Sequence, residues 1–110
     1  MPLFMYQAAY TPESWAKQLK TPRNRVDTVG KAMCEAVGGR LVCAAYCFDE
    51  YDLIIIANVP DDESMAAISL AIAAGGAIKA AKTTKLLSGA QGVEAMRKAD
   101  AVAKFYRPAR

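Results

Sequence analysis

At 110 residues the chain has the size of one domain, residues 1–110, and no room for two independent cores. Apolar residues make up 54% and charged residues 23%, a folding composition that excludes intrinsic disorder. The net charge of +3 comes from 14 basic and 11 acidic residues spread along the chain, without the one-face stripe that nucleic-acid binding needs.

In chain order, Leu3 to Tyr10 carries aromatics and no breaker, which predicts a first strand. Thr11-Pro12-Glu13 then supplies an N-cap, a proline for the first helical position and an acidic first turn. Trp15 and Leu19 lie one turn apart on the helix that follows. Thr21-Pro22 repeats the start signal, so a break near Lys20 and a second helix are expected. That helix puts Val26, Val29, Met33 and Val37 on one stripe and ends at Gly38-Gly39. Arg40 to Phe48 and Leu53 to Val59 are the next strands, joined by the polar turn Asp49 to Asp52 as an antiparallel hairpin. Pro60-Asp61-Asp62-Glu63 opens a helix through Met65, Ile68 and Ile72 that stops at Gly75-Gly76. A fourth strand spans about Ala77 to Leu87. The capping box Ser88-Gly89-Ala90-Gln91 starts a terminal helix with Val93, Met96 and Val102, ended by the tail Phe105 to Arg110.

The order βαββαβ plus a C-terminal helix predicts an α+β, ferredoxin-like fold: a four-stranded antiparallel sheet with helices on one face. A weak internal repeat, Ala36 to Ala44 echoed by Ala73 to Ala81, supports two equivalent halves. In the third strand Leu53, Ile55, Ala57 and Val59 point one way and Ile54 and Ile56 the other, so both sheet faces demand burial. One terminal helix is small cover for the second face, and a further copy of the chain is the expected cover, as a homodimer or higher assembly.

Localisation and chemistry are bounded mainly by exclusion. Met1 to Tyr6 has no basic leader or cleavage site, and the longest apolar run, Met65 to Ala74, is about half a membrane span. Cys34, Cys43 and Cys47 have no CxxC spacing and read as reduced thiols, so a cytoplasmic protein with no membrane partner is expected. The chain contains no histidine, which removes the commonest general base and the usual haem and zinc ligand. No phosphate-binding glycine loop opens a helix, and no metal or cofactor is expected.

Single candidates remain. Tyr51 and Asp52 at the hairpin are either a structural turn, with Asp52 bonding local backbone N–H groups, or an acid/base and a hydrogen-bond donor beside a pocket. Asn58 interrupts an apolar strand, as a strand-end bond or as a polar anchor in a ligand cavity. Arg25 either pairs with Asp27 or another surface acid, or holds an anionic ligand. Lys82-Thr83-Thr84 puts hydroxyls along the last strand, with Thr84 a candidate contact. Tyr6, Tyr10, Tyr46 and Trp15 are core, interface or substrate-box aromatics, and Tyr6 is counted among the ligand-binding candidates.

The run Tyr46-Cys47-Phe48-Asp49-Glu50-Tyr51-Asp52-Leu53-Ile54 resembles the signature segment of the GYD domain family, with Glu50 where the family has its glycine. The resemblance extends through Arg25, Gly38-Gly39, Pro60-Asp61 and Gly76 to Thr84. It implies a dimeric α/β barrel in which two open sheet faces pack together, in a family without a settled activity. The expected function is binding of a small hydrophobic or aromatic molecule in a barrel-side pocket, with cofactor-free catalysis left open. The alternative is a non-catalytic oligomeric regulatory or structural module.

Overall fold

The computed structural model describes residues 1–109. Eight elements follow in order: β1 (Leu3–Tyr10), α1 (Pro12–Lys20), α2 (Arg25–Ala36), β2 (Arg40–Tyr46), β3 (Leu53–Asn58), α3 (Asp62–Ala74), β4 (Ile78–Leu86) and α4 (Gly89–Ala103). The strands form one antiparallel sheet in the order β2-β3-β1-β4, the ferredoxin-like arrangement.

Local chemistry sets most boundaries. The Thr11 hydroxyl accepts the Ser14 N–H to cap α1, and Ser88 and Gln91 close a reciprocal capping box on α4. The second helix does not begin at Thr21-Pro22, as its sequence signal suggested, but at Arg25. Asn24 is a fuller cap: its Oδ1 accepts the Asp27 N–H and its carbonyl accepts the Thr28 hydroxyl. Strand β2 stops at Tyr46, two residues early, because the Cys47 N–H already donates across the hairpin to the Asp52 carbonyl and leaves Phe48 97% exposed.

The repeated Gly-Gly pairs are used one residue out of phase. Positive φ falls on the first glycine of one pair, Gly38 (79°), and on the second of the other, Gly76 (76°). The reason is that α2 ends at Ala36 whereas α3 runs on to Ala74. Gly39 is needed for proximity instead, since a Cβ there would lie 2.3 Å from the Asn58 carbonyl oxygen.

The core lies between the sheet and its helices. Phe4, Tyr6, Ala8, Leu53, Ile55 and Ala57 supply the sheet side, met by Val26 and Cys34 of α2 and Met65 and Ile68 of α3. The helix stripe expected on α2 is centred on Gly30 and Cys34, both buried, with Val29, Met33 and Val37 at its margins. Leu19 does not share the packing of Trp15: it is 72% exposed, while Trp15 turns onto Tyr10 with ring centroids 5.2 Å apart, edge to face.

Two faces are left uncovered. The far side of the sheet carries three cross-strand rows: Arg40–Asn58–Leu3–Leu86, Cys43–Ile56–Met5–Thr84 and Ala45–Ile54–Gln7–Lys82. A bulge between Leu41 and Cys43 adds Val42 to this side, because Leu41 and Ala44 both pack on the core. Helix α4 does not close over the face; no other element packs on it to the extent seen between α2 and β2. It projects, leaving Met96 72%, Val102 64% and Phe105 91% exposed, and stretches the molecule to 58 × 36 × 22 Å. The radius of gyration of 17.3 Å accordingly exceeds the ~13 Å of a compact chain of this length. The terminal residue of the tail, Arg110, lies outside the described residues.

Candidate functional site

A cavity of ≈ 320 Å³ opens between α2, α3 and the sheet. Strand alternation brings Tyr6, Tyr10, Leu53 and Ile55 to its floor, and the helical stripe of α2 brings Val26, Val29, Gly30 and Met33 to one wall. Ala71 and Ile72 of α3 and Ala77-Ile78 at the start of β4 complete it. A Cβ at Gly30 would lie in ordinary van der Waals contact with the Ile55 and Leu41 side chains, so α2 passes close to the sheet there.

The polar groups gather at one end. Arg25, the first helical residue of α2, lines the cavity mouth. It makes no ion pair within 4.0 Å among the described residues; Asp27, one expected partner, accepts from the Asn24 side-chain amide instead. Tyr6 is 3% exposed, and its hydroxyl has no hydrogen-bond partner among the described residues, yet it is not sealed from space. Burial raises the Tyr6 hydroxyl above its ordinary pKa of 10.0, helped by the neighbouring Tyr10. Burial likewise raises Tyr10, with Tyr46 adding to the effect and the adjacent Arg25 opposing it. Both hydroxyls therefore stay protonated at neutral pH and can donate.

Outside the mouth the cavity meets a wider cleft of ≈ 480 Å³ along α1 and the α3–β4 turn, sharing Tyr10, Arg25, Gly75 and Ala77 with it. Lys17 and Arg23 add positive charge there and Glu13 negative charge. Electrostatically the mouth favours an anion.

Of the six candidate residues, the structure brings Tyr6 and Arg25 together in the cavity and distributes the others. Asn58 and Thr84 stand on the opposite, open side of the sheet, in adjacent rows. Tyr51 and Asp52 lie at the end of the β2–β3 hairpin and line neither the cavity nor the cleft. Asp52 does not bond local N–H groups. Its Oδ2 accepts the backbone N–H of Tyr10 at 2.8 Å and the indole Nε1–H of Trp15 at 3.1 Å, both some forty residues away. Antiparallel pairing causes this, because the start of β3 lies beside the end of β1; the Asp52 N–H also donates to the Ala8 carbonyl. The Tyr51 carbonyl accepts from the Cys47 thiol at 3.1 Å.

The α3 and β4 contributions to the cavity carried no sequence signal, since Ala71, Ile72 and Ala77 are ordinary apolar residues. The one available clue was Tyr10, four residues after Tyr6 and so on the same strand face. The three cysteines are free, and burial raises the Cys34 thiol above its ordinary 9.0, which leaves it inert. Among the described residues no cluster of three or more His, Cys, Asp or Glu could hold a metal ion, and no helix is long and apolar enough to cross a membrane.

Sheet order, helix placement and the uncovered sheet face define an α+β domain of ferredoxin-like type. The chain belongs to the GYD domain family, whose model matches residues 4–99. Among solved structures it is similar to one described as the crystal structure of FFRP-DM1, at 15% sequence identity and a TM-score of 0.52, over 79% of this chain and 100% of that one. At that identity the likeness concerns the fold alone. No curated protein matches it in sequence.

Proposed function

We propose that this chain is a self-assembling cytoplasmic domain that binds a small apolar or aromatic molecule between α2, α3 and the sheet. The carrying observation is the cavity of ≈ 320 Å³ with apolar walls and a few convergent polar groups, at the small end of the ~300–1,000 Å³ usual for ligand sites. Binding is favoured over acid/base turnover because Tyr6 and Tyr10 are held protonated, and the one carboxylate beside them, Asp52, already accepts two hydrogen bonds. Three free thiols suit a reducing compartment.

Native mass spectrometry of freshly purified protein tests this directly. The expected result is a retained small molecule, lost from a Val29→Phe variant in which a ring fills the cavity. Parent protein that never retains or binds any small molecule would overturn the reading and favour the second one.

The second reading is a non-catalytic oligomeric module whose assembly is its function, and the exposed apolar side chains of α4 favour it. Both readings require self-association, which the apolar centre of the open sheet face supports: Met5 and Ile56 are paired there, flanked along their strands by Leu3 and Ile54. A second copy covers this face in both readings, because burying its apolar centre, Met5, Ile54 and Ile56, is favourable.

A further inference from the structure

Resting on the ligand-binding reading above, the placement of charge and hydrogen-bond donors narrows the ligand further. Within the cavity the polar groups are two tyrosine hydroxyls and one guanidinium, and no carboxylate lines it. The guanidinium only donates and the hydroxyls can donate as well as accept, so although Arg25 lies against the Tyr10 hydroxyl, no anionic group of the lining balances its charge. Tyr6 is 3% exposed and lines the cavity, and its hydroxyl has no protein hydrogen-bond partner among the described residues without being a sealed, unpaired atom. A hydroxyl that is open to the cavity and not engaged by the protein is free to pair with a bound molecule. Arg25 likewise has no ion-pair partner among the described residues. It stands in the first turn of a 12-residue helix, where the helix dipole adds positive potential. Lys17 and Arg23 in the adjoining cleft, against the single Glu13, extend that potential outward.

We infer that the cavity takes an apolar or aromatic carboxylic acid, its carboxylate held at the mouth by Arg25 and the Tyr10 and Tyr6 hydroxyls. Its body lies inward against Val29, Met33, Ile55 and Ile72. A carboxylate matches the site because it accepts several hydrogen bonds at once, and a guanidinium can engage both its oxygens. An amine of the same shape would bring a positive charge to a positive mouth, and a primary amide would lose the ionic part of the contact.

A matched series tests this: 3-phenylpropanoate, 3-phenylpropanamide and 3-phenylpropylamine, titrated calorimetrically into the full chain. The acid is expected to bind at least tenfold more tightly than the amide, and the amine more weakly than either. Arg25→Gln should reduce affinity for the acid by roughly tenfold or more and that for the amide by distinctly less, as loss of a charge-assisted bond predicts. Arg25 is exposed at the start of its helix, so this variant should melt with the parent; Tyr6→Phe removes the second donor and should weaken the acid separately. Equal binding of acid and amide, or an Arg25→Gln variant that holds the acid as well as the parent, would overturn the carboxylate assignment while the cavity reading stands. Failure of all three probes, with no retained molecule in native mass spectrometry, would overturn both.

Discussion

Asp52 joins three elements through one oxygen atom: it sits at the entry to β3 and accepts from the last residue of β1 and from the indole of α1. Removing that oxygen strands two donors in a half-buried place. Asp52→Ala should therefore lower stability by about 1–3 kcal/mol, and Asp52→Asn, which keeps an acceptor, by about 1 kcal/mol. Urea denaturation monitored by Trp15 emission measures both, and affinity for 3-phenylpropanoate should be unchanged. A second residue-scale expectation concerns alkaline pH. Cys34, Tyr6 and Tyr10 all have pKa values raised by burial, so the folded state holds these protons more tightly than the unfolded chain does. Their contribution is complete below the unfolded values and is lost as pH rises, first above 9.0 for Cys34 and then above 10.0 for the tyrosines. The melting temperature should fall across that range, and Tyr6→Phe should flatten its upper part.

At the scale of elements, the two glycine pairs end homologous helices with different constraints. At Gly39 the obstacle is contact: the Cβ of alanine would meet the Asn58 carbonyl oxygen and Val59, backbone that cannot swing aside. At Gly76 there is open space, and only the left-handed φ opposes a side chain. Gly39→Ala is expected to cost about 1–3 kcal/mol by overpacking and to disturb the α2–β2 junction. Gly76→Ala should cost about 1–2 kcal/mol, without structural change elsewhere. Chemical denaturation, with amide exchange at the β2–β3 pairing as the local readout, separates the two mechanisms.

For the whole molecule the dominant fact is exposed apolar surface on two sides, the open sheet face and α4. Four strands about 4.8 Å apart give a face near 20 Å square, a footprint of roughly 400 Å² per copy. A specific interface commonly buries roughly 800 Å² per partner, so α4 is expected to add to the contact. Multi-angle light scattering at micromolar concentration should find a dimer or larger assembly. Ile56→Glu, which puts a charge at the centre of the open face, should shift it to monomer, and truncation after Leu87 should weaken it. A folded parent monomer at those concentrations would refute self-association.

Element types, their order and the apolar pattern on both sides of β3 were legible in the sequence because each is a local property: alternation, helical spacing, caps and glycine stops. Leu53, Ile55 and Ala57 are buried as their alternation required, and the strand order followed from one connection short enough only for a hairpin and two long enough for helical crossovers. Arg25 and Tyr6 could be named as candidates from residue type alone. That they share a cavity, while Asn58 and Thr84 fall on the other side of the sheet, was settled only by the packing of α2 on the sheet and by the cross-strand register, which fixes the face of each strand residue relative to residues distant in sequence. The partners of Asp52 were hidden for the same reason, since they lie 42 and 37 residues away and meet it only when β1 and β3 pair. The course of α4 was likewise tertiary: its capping box specifies where a helix starts, and nothing in a capping box specifies what that helix lies against.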